Sequence, residues 1–484
     1  MDVRSSVVTR RDALIDGHWV QADSGARFPV LDPATGATLE EAPDMGAAET
    51  RRAIEAAARA FSSWRATPAK QRAAIMRRWF ELILAEQESL AQILTAEQGK
   101  PLAEARGEIA YGATYIDWFA EEGRRVYGDV LPPTANDRRQ LVFKQPIGVV
   151  AAITPWNFPS AMFARKVGAA LGAGCTMVLK PAEQTPFSAL ALADLAMRAG
   201  VPAGVVNVVT ARDPAPVGEE LTGNPLVRKL SFTGSTEVGK ILLRQAAENV
   251  QKCSMELGGN APLIVFADAD LDLAVKGAIA VKYRNCGQTC ISANRLLVHE
   301  SVISEFAARL AARASELKVG DGRDEGVALG PLIEEAAVEK CERQVADALA
   351  RGAKLLLGGA RHKLGGSFFE PTVLEGVTAD ALIFNEETFG PVAPIVAFTD
   401  EAEALRLANA TPYGLAAYFY SRDLSRIFRI AEALDFGMIG VNETLMSSEA
   451  APFGGMKQSG LGREGSRYGV DDYLELKYVC LGGM

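Results

Sequence analysis

Histidine is almost missing from this chain of 484 residues: His18, His299 and His362 are all it has. They stand far apart in the sequence, which excludes a histidine-ligated zinc site and a Ser-His-Asp hydrolase, and no metal site is expected. Cysteine is scarce too. Cys175, Cys253, Cys286, Cys290, Cys341 and Cys480 are too few and too scattered for a disulfide framework. No apolar run approaches the ~20 residues of a membrane span. The stretch from Met1 to Arg11 lacks the apolar core of a signal peptide, so a cytoplasmic protein is expected. Basic residues are outnumbered, 51 against 60, and the net charge of −9 gives nucleic acid no broad surface to bind. Internal repeats and low-complexity linkers are also absent.

What is present is a composition for burying large cores, with 48% hydrophobic and 23% charged residues. At ~150 residues per domain the length suggests about three domains. From Ala47 to Glu122 apolar residues such as Ile75, Trp79, Leu82 and Ile83 recur at helical spacing, punctuated by Gly99, Pro101 and Gly123. From Ile147 onward the period changes. Short apolar runs at Ile147–Ile153, Thr176–Leu179, Val205–Val209 and Leu230–Phe232 alternate with helix-length segments. A second series follows at Pro262–Phe266, Arg295–Val298, Leu355–Leu357, Val392–Val396 and Met438–Val441. Both series read as parallel sheets covered on two faces, and the break falls near Leu257–Asn260. Arg139–Gln145 and Tyr473–Val479 differ, alternating polar with apolar as antiparallel strands with one wet face do. They suggest a small third unit whose open edges suit pairing with another subunit.

Several residues could carry chemistry. Gly234-Ser235-Thr236-Glu237-Val238-Gly239-Lys240 begins like a phosphate-cradling P-loop, but Ile241 stands where a magnesium-binding hydroxyl is needed. A glycine turn between strand and helix remains, able to hold a phosphate or merely to cap the helix. The G-x-G-x-x-G dinucleotide fingerprint is absent. Cys290, in Gly287-Gln288-Thr289-Cys290, is either a nucleophile presented by a glycine-containing turn or a small core hydrophobe. Glu256 ends a strand among apolar residues, where burial makes a carboxylate a usable base, or where a salt bridge holds it. Asn157, between Pro155 and Pro159, offers a fixed amide donor or belongs to a rigid loop packed by Trp156. Lys180 and Glu183 follow a strand end as ribose-gripping groups do, or as an exposed ion pair does.

The motifs PWNFP, KPAEQTP, FTGSTEVG, MELGGNAP, GQTC, EETFGP and PFGGMKQSGLGREG, in this order and spacing, resemble the aldehyde dehydrogenase superfamily from about Leu14 to Cys480. Within it the succinate-semialdehyde dehydrogenases are most similar. The resemblance implies an α/β fold with a Rossmann-like cofactor domain (1–125 and 145–256), an α/β catalytic domain (257–469) and a small antiparallel β oligomerisation flap (126–144 and 470–484). It also implies NAD(P)-dependent oxidation of a small semialdehyde through a Cys290 thiohemiacetal and thioester. Asn157 and the Cys290 N–H would stabilise the oxyanion, and Glu256 would activate water. Thr154, Pro155, Trp156, Lys180, Glu183, Gly234, Ser235, Leu257, Glu387 and Phe389 would hold the cofactor. Arg165, Arg284 and Ser447 would grip the substrate carboxylate.

NAD is the expected cofactor, with NADP possible, because Glu183 would face a 2′-phosphate with like charge. A homotetramer or dimer is implied. Relatives often carry a second cysteine two residues after the nucleophile; Ser292 stands there, which removes that redox switch and leaves Cys286 as a weaker partner. Glutarate semialdehyde is the close alternative substrate. A thiol esterase and a catalytically silent structural protein are the alternatives of other classes.

Overall fold

The structure, a computed structural model, describes residues 8–483. The polar N-terminal stretch therefore falls outside the described residues from Met1 to Val7.

Four helices, Ala47–Ala66, Ala69–Ala85, Gln87–Gln98 and Leu102–Glu122, occupy the region read as helical. Their ends follow local chemistry. Glu49 reaches back to the Gly46 N–H at 3.0 Å and closes the first helix start. Gly99, at φ 91°, ends the third where a side chain would be strained. Trp79 is fully buried, meets Phe163 edge to face at 6.0 Å, and donates its indole N–H to the Leu192 carbonyl at 3.1 Å. Truncating a core aromatic of this kind costs ~3–5 kcal/mol.

The first sheet has eight strands, in the order 460–461, 252–256, 227–233, 149–153, 176–180, 206–208, 13–15, 18–20. Its five central strands are parallel, and antiparallel strands close both edges. Helix Pro159–Ala173 lies between this sheet and the N-terminal helices and is buried at every position. The second sheet has seven strands, in the order 354–357, 372–375, 392–398, 293–299, 261–265, 416–420, 438–441. Leu355–Leu357, read as part of a parallel series, is instead an antiparallel edge with Leu355 and Leu356 exposed. Eight strands escaped the sequence reading: Ala13–Ile15, His18–Val20, Arg27–Leu31, Thr38–Pro43, Asp129–Leu131, Thr372–Glu375, Ala416–Tyr420 and Gly460–Leu461.

The two alternating segments pair with each other. Leu474–Gly482 runs antiparallel to Arg138–Pro146, from Leu474 against Pro146 to Gly482 against Arg138, and Asp129–Leu131 adds a third strand. Tyr127, Val130, Leu476 and Tyr478 leave this small sheet with exposed apolar surface. One strand of the 257–469 span, Gly460–Leu461, crosses to the first sheet and pairs beside Glu256.

Candidate active site

A cavity of about 430 Å³ opens where the C-terminal ends of first-sheet strands face the second unit. Strand 149–153 leads into Pro155, Trp156 and Asn157; strand 227–233 leads into Gly234 and Ser235; strand 252–256 supplies Glu256 and then Leu257. Cys290, Glu387 and Phe389 come from the opposite wall. Trp156 and Phe389 meet across the cleft edge to face, with ring centres 5.4 Å apart. Ten residues singled out in the sequence thus reach one cavity. Thr154, Lys180, Glu183, Arg165, Arg284 and Ser447 lie outside its lining.

The turn to the thiol is tight. Asn285 and Cys286 take left-handed φ of 50° and 56°, an uncommon arrangement that clusters at functional sites. Main chain packs against main chain here. A Cβ on Gly259 would stand 2.3 Å from the Cys290 carbonyl oxygen, and one on Gly287 would stand 2.1 Å from that of Gly390. Burial, with Glu387 and Glu256 nearby, pushes the Cys290 thiol up to about 12, and Arg165 pulls it down. Cys290 is half-buried and Cys286 fully buried, and both are free thiols; Ser292 is buried, its hydroxyl without a partner among the described residues.

Glu256 is buried, and one carboxylate oxygen has no hydrogen-bond partner among the described residues. Burial pushes its carboxyl well above the usual range and Glu464 adds to this, while Lys166, Arg165 and Arg463 oppose it. Asn157 donates its side-chain amide to the Gln288 carbonyl at 3.0 Å, which leaves its second N–H for the cavity it lines. Glu387 accepts from the Gly259 N–H at 2.8 Å, and burial lifts it to about 7.

Three helix starts distinguish themselves by what covers them. Glu108 accepts from the N–H groups of Ser160 and Ala161 at 3.0 and 3.2 Å, blocking helix Pro159–Ala173. Glu97 does the same for helix Pro186–Ala199, at 2.8 Å from both Phe187 and Ser188. Helix Thr236–Ala247 has only its own Ser235 hydroxyl, 3.3 Å from the Val238 N–H, and it opens on the cavity. Glu237 stands in its first turn, but no carboxylate among the described residues caps its N–H groups as Glu108 and Glu97 cap the other two, so a dinucleotide pyrophosphate fits there. The buried hydroxyls of Thr233 and Thr388, both on the cavity wall, also lack partners among the described residues. Lys180 is buried, donates to the Pro181 carbonyl at 2.9 Å, and stands 3.4 Å from the partly exposed Glu183.

The two arginines differ. Arg165 is buried, donates to the Tyr111 hydroxyl, lies 3.8 Å from Glu464, and rests 4.1 Å over Phe453. Phe453 also lines a separate cavity of about 180 Å³ that holds Ser447. Arg284 is half-buried, stacks 5.0 Å from the ring centre of Phe158, a lining residue of the main cavity, and forms no hydrogen bond or ion pair with the described residues.

Residues given no role in the sequence hold this arrangement, although one of them, Glu464, stands in the quoted PFGGMKQSGLGREG motif. Glu97, Lys100, Glu108, Lys166 and Glu464 are all buried. Lys166 and Glu464 form an ion pair at 2.5 Å. A signal for Glu108 existed, since it shares a helical face with Ala105, Ile109 and Gly112, where a charge is out of place.

The aldehyde dehydrogenase family model matches residues 19–479, and the chain belongs to that family. It is 60% identical over 482 residues to the succinate-semialdehyde dehydrogenase [NADP(+)] GabD of Escherichia coli (strain K12), covering 100% of both chains. It is 58% identical over 484 residues to a glutarate-semialdehyde dehydrogenase of Pseudomonas aeruginosa, again covering 100% of both. Among solved structures, a succinate-semialdehyde dehydrogenase from Burkholderia pseudomallei superposes with a TM-score of 0.97 at 62% identity, over 99% of this chain and 98% of that one.

Proposed function

We propose that the protein oxidises succinate semialdehyde to succinate with a nicotinamide dinucleotide. The observation that carries this is one cavity in which Cys290, Asn157 and Glu256 converge, with the unpaired Arg284 guanidinium stacked on Phe158 of its wall. A carboxylate closed into such a cleft needs a charged partner, and a guanidinium supplies it through charge-assisted hydrogen bonds. Arg284 meets the far end of the substrate, flanked by Arg165 and Ser447.

The Cys290 thiol, protonated at rest by its burial, gives its proton to water in the cavity and attacks the aldehyde carbon as a thiolate. The Asn157 amide and the Cys290 backbone N–H hold the oxygen as negative charge develops on it. Ser235 would hold the pyrophosphate of a dinucleotide, Lys180 and Glu183 its adenosine ribose, and Glu387 beside Phe389 its nicotinamide ribose; the bound group would supply the hydride acceptor. Thr154, Pro155, Trp156, Gly234 and Leu257 shape the same wall. Glu256 takes a proton from water, which then hydrolyses the Cys290 thioester.

NAD is the preferred cofactor and NADP is accepted, since the partly exposed Glu183 can swing from a 2′-phosphate. The E. coli relative's name specifies NADP, the point on which the two cofactors must be compared. Residues 1–125 with 145–256 form the cofactor domain, 257–469 the catalytic domain, and 126–144 with 470–484 a flap that pairs subunits into a dimer or tetramer. The enzyme works in the cytoplasm; no described helix is long and apolar enough to cross a membrane.

The second reading, glutarate semialdehyde, is favoured by the Pseudomonas aeruginosa relative, and one methylene is worth only ~1–3 kcal/mol of discrimination. Following NADH absorbance with succinate semialdehyde, glutarate semialdehyde and an uncharged aldehyde of similar length decides. A faster reaction with the uncharged aldehyde would reject both semialdehyde readings.

A further inference from the structure

The backbone carbonyl of Asn157 is a junction. Lys100 Nζ donates to it at 2.7 Å and Asn285 Nδ2 donates to it at 3.0 Å. Three distant parts of the chain therefore meet on one oxygen: the turn between the third and fourth helices, the turn after strand 149–153, and the turn to Cys290. The Lys100 ammonium is wholly buried, paired with Glu108 at 2.5 Å and 3.9 Å from the ring centre of Phe158. Glu108 in turn fixes the helix that begins two residues after Asn157, through the N–H groups of Ser160 and Ala161.

Lys100 cannot drift. Gln98 Oε1 accepts its backbone N–H at 3.0 Å, and a Cβ on the preceding Gly99 would stand 2.8 Å from both Pro33 and Pro331. On the opposite side, Asn285 is held by Glu104, whose carboxylate accepts its backbone N–H at 2.9 Å. A wholly buried ion pair is a poor device for stability, because desolvation offsets its attraction. Its value here lies in geometry. Lys100, Glu108 and Asn285 are all buried behind the cavity lining.

We propose that Lys100 and Asn285 are positioning residues for the oxyanion donor. Through the Asn157 carbonyl they fix the direction of the Asn157 amide relative to Cys290. This rests on the reading of Asn157 as that donor. A displaced donor loses much of its worth, because such stabilisation depends on preorganisation.

The test is a double-mutant cycle read by the pre-steady-state NADH burst with succinate semialdehyde. Asn157→Ala slows the burst on the order of 10²- to 10³-fold, as loss of one oxyanion donor does. Lys100→Met slows it roughly 10- to 100-fold, while alkylation of Cys290 by iodoacetamide keeps its rate and pH profile. In the Asn157→Ala background, Lys100→Met adds little, because the group it aligns is gone. If Lys100→Met fails to fold, Asn285→Gly, which suits the left-handed backbone at that position, carries the same cycle. An unchanged burst in Asn157→Ala overturns the donor reading itself. A slowed burst in Asn157→Ala, with unaffected or multiplying losses from Lys100→Met and Asn285→Gly, overturns the positioning role alone.

Discussion

The two ends of the substrate cleft are built on opposite plans. At the aldehyde end the polar groups are fixed: Asn157 is bonded to Gln288 and held by Lys100 and Asn285, and Cys290 sits in a turn packed against backbone. At the end we assign to the substrate carboxylate, Arg284 forms no hydrogen bond or ion pair among the described residues, while Arg165 is committed to Tyr111 and Glu464. A reacting atom needs its partners placed in advance, whereas an anion only needs a charge that can reach it. The difference teaches where a substitution should abolish reaction and where it should merely change preference.

The sharpest break is Cys290→Ala, which removes the nucleophile. Oxidation should fall below about one per cent of wild type while NAD binding, read by fluorescence titration, persists. Substantial residual turnover would place the nucleophile elsewhere.

Next is Glu256→Gln, with a steady-state loss on the order of 10²- to 10⁴-fold. Single-turnover mixing should show a normal NADH burst and then a stall. Glu256 acts deprotonated and its carboxyl is pushed well up, so wild-type deacylation should rise with pH above the usual carboxylate range. A deacylation rate flat from about pH 5 to about pH 9 would remove Glu256 from that step.

The comparison itself is tested by the arginines. Arg284→Ala should lower kcat/KM for succinate semialdehyde about 10- to 150-fold and barely affect an uncharged aldehyde. Arg165→Ala should slow both, because it also releases Glu464 and alters the surroundings of Cys290 and Glu256. Equal losses for both substrates in Arg284→Ala would make that arginine structural. The smallest effect belongs to Glu183→Gln, which should shift the NADP-to-NAD ratio of kcat/KM toward NADP by about tenfold, a surface-screened fraction of a like-charge penalty. No shift would mean that Glu183 does not face the ribose.

Much of this was legible in the sequence because strands announce themselves by apolar runs and cleft residues follow their C-terminal ends. Asn157, Ser235 and Glu256 all stand at such ends, in the cavity. The short strands Ala13–Ile15 and His18–Val20 were not, since three residues are too few to show a period. The supports of the site were illegible for another reason. Lys100 lies 57 residues from the carbonyl it binds, and Lys166 lies 298 from Glu464, so only the folded chain makes them neighbours. Arg165 and Arg284 looked equivalent in the sequence; burial with Tyr111 and Glu464 separates them.

The glycine contacts around Cys290 carry a consequence for divergence. Its carbonyl is hemmed in by Gly259, and the Gly390 carbonyl hems in Gly287 of the turn leading to it, so a Cβ on either Gly259 or Gly287 would run into main chain. The reaction frame is consequently closed to gradual change, while Arg284 and Ser447 stand outside the cavity lining and are open to it. A lineage built on this frame can exchange one anionic tail for another by altering a few side chains, and keep the thioester chemistry intact while it does so.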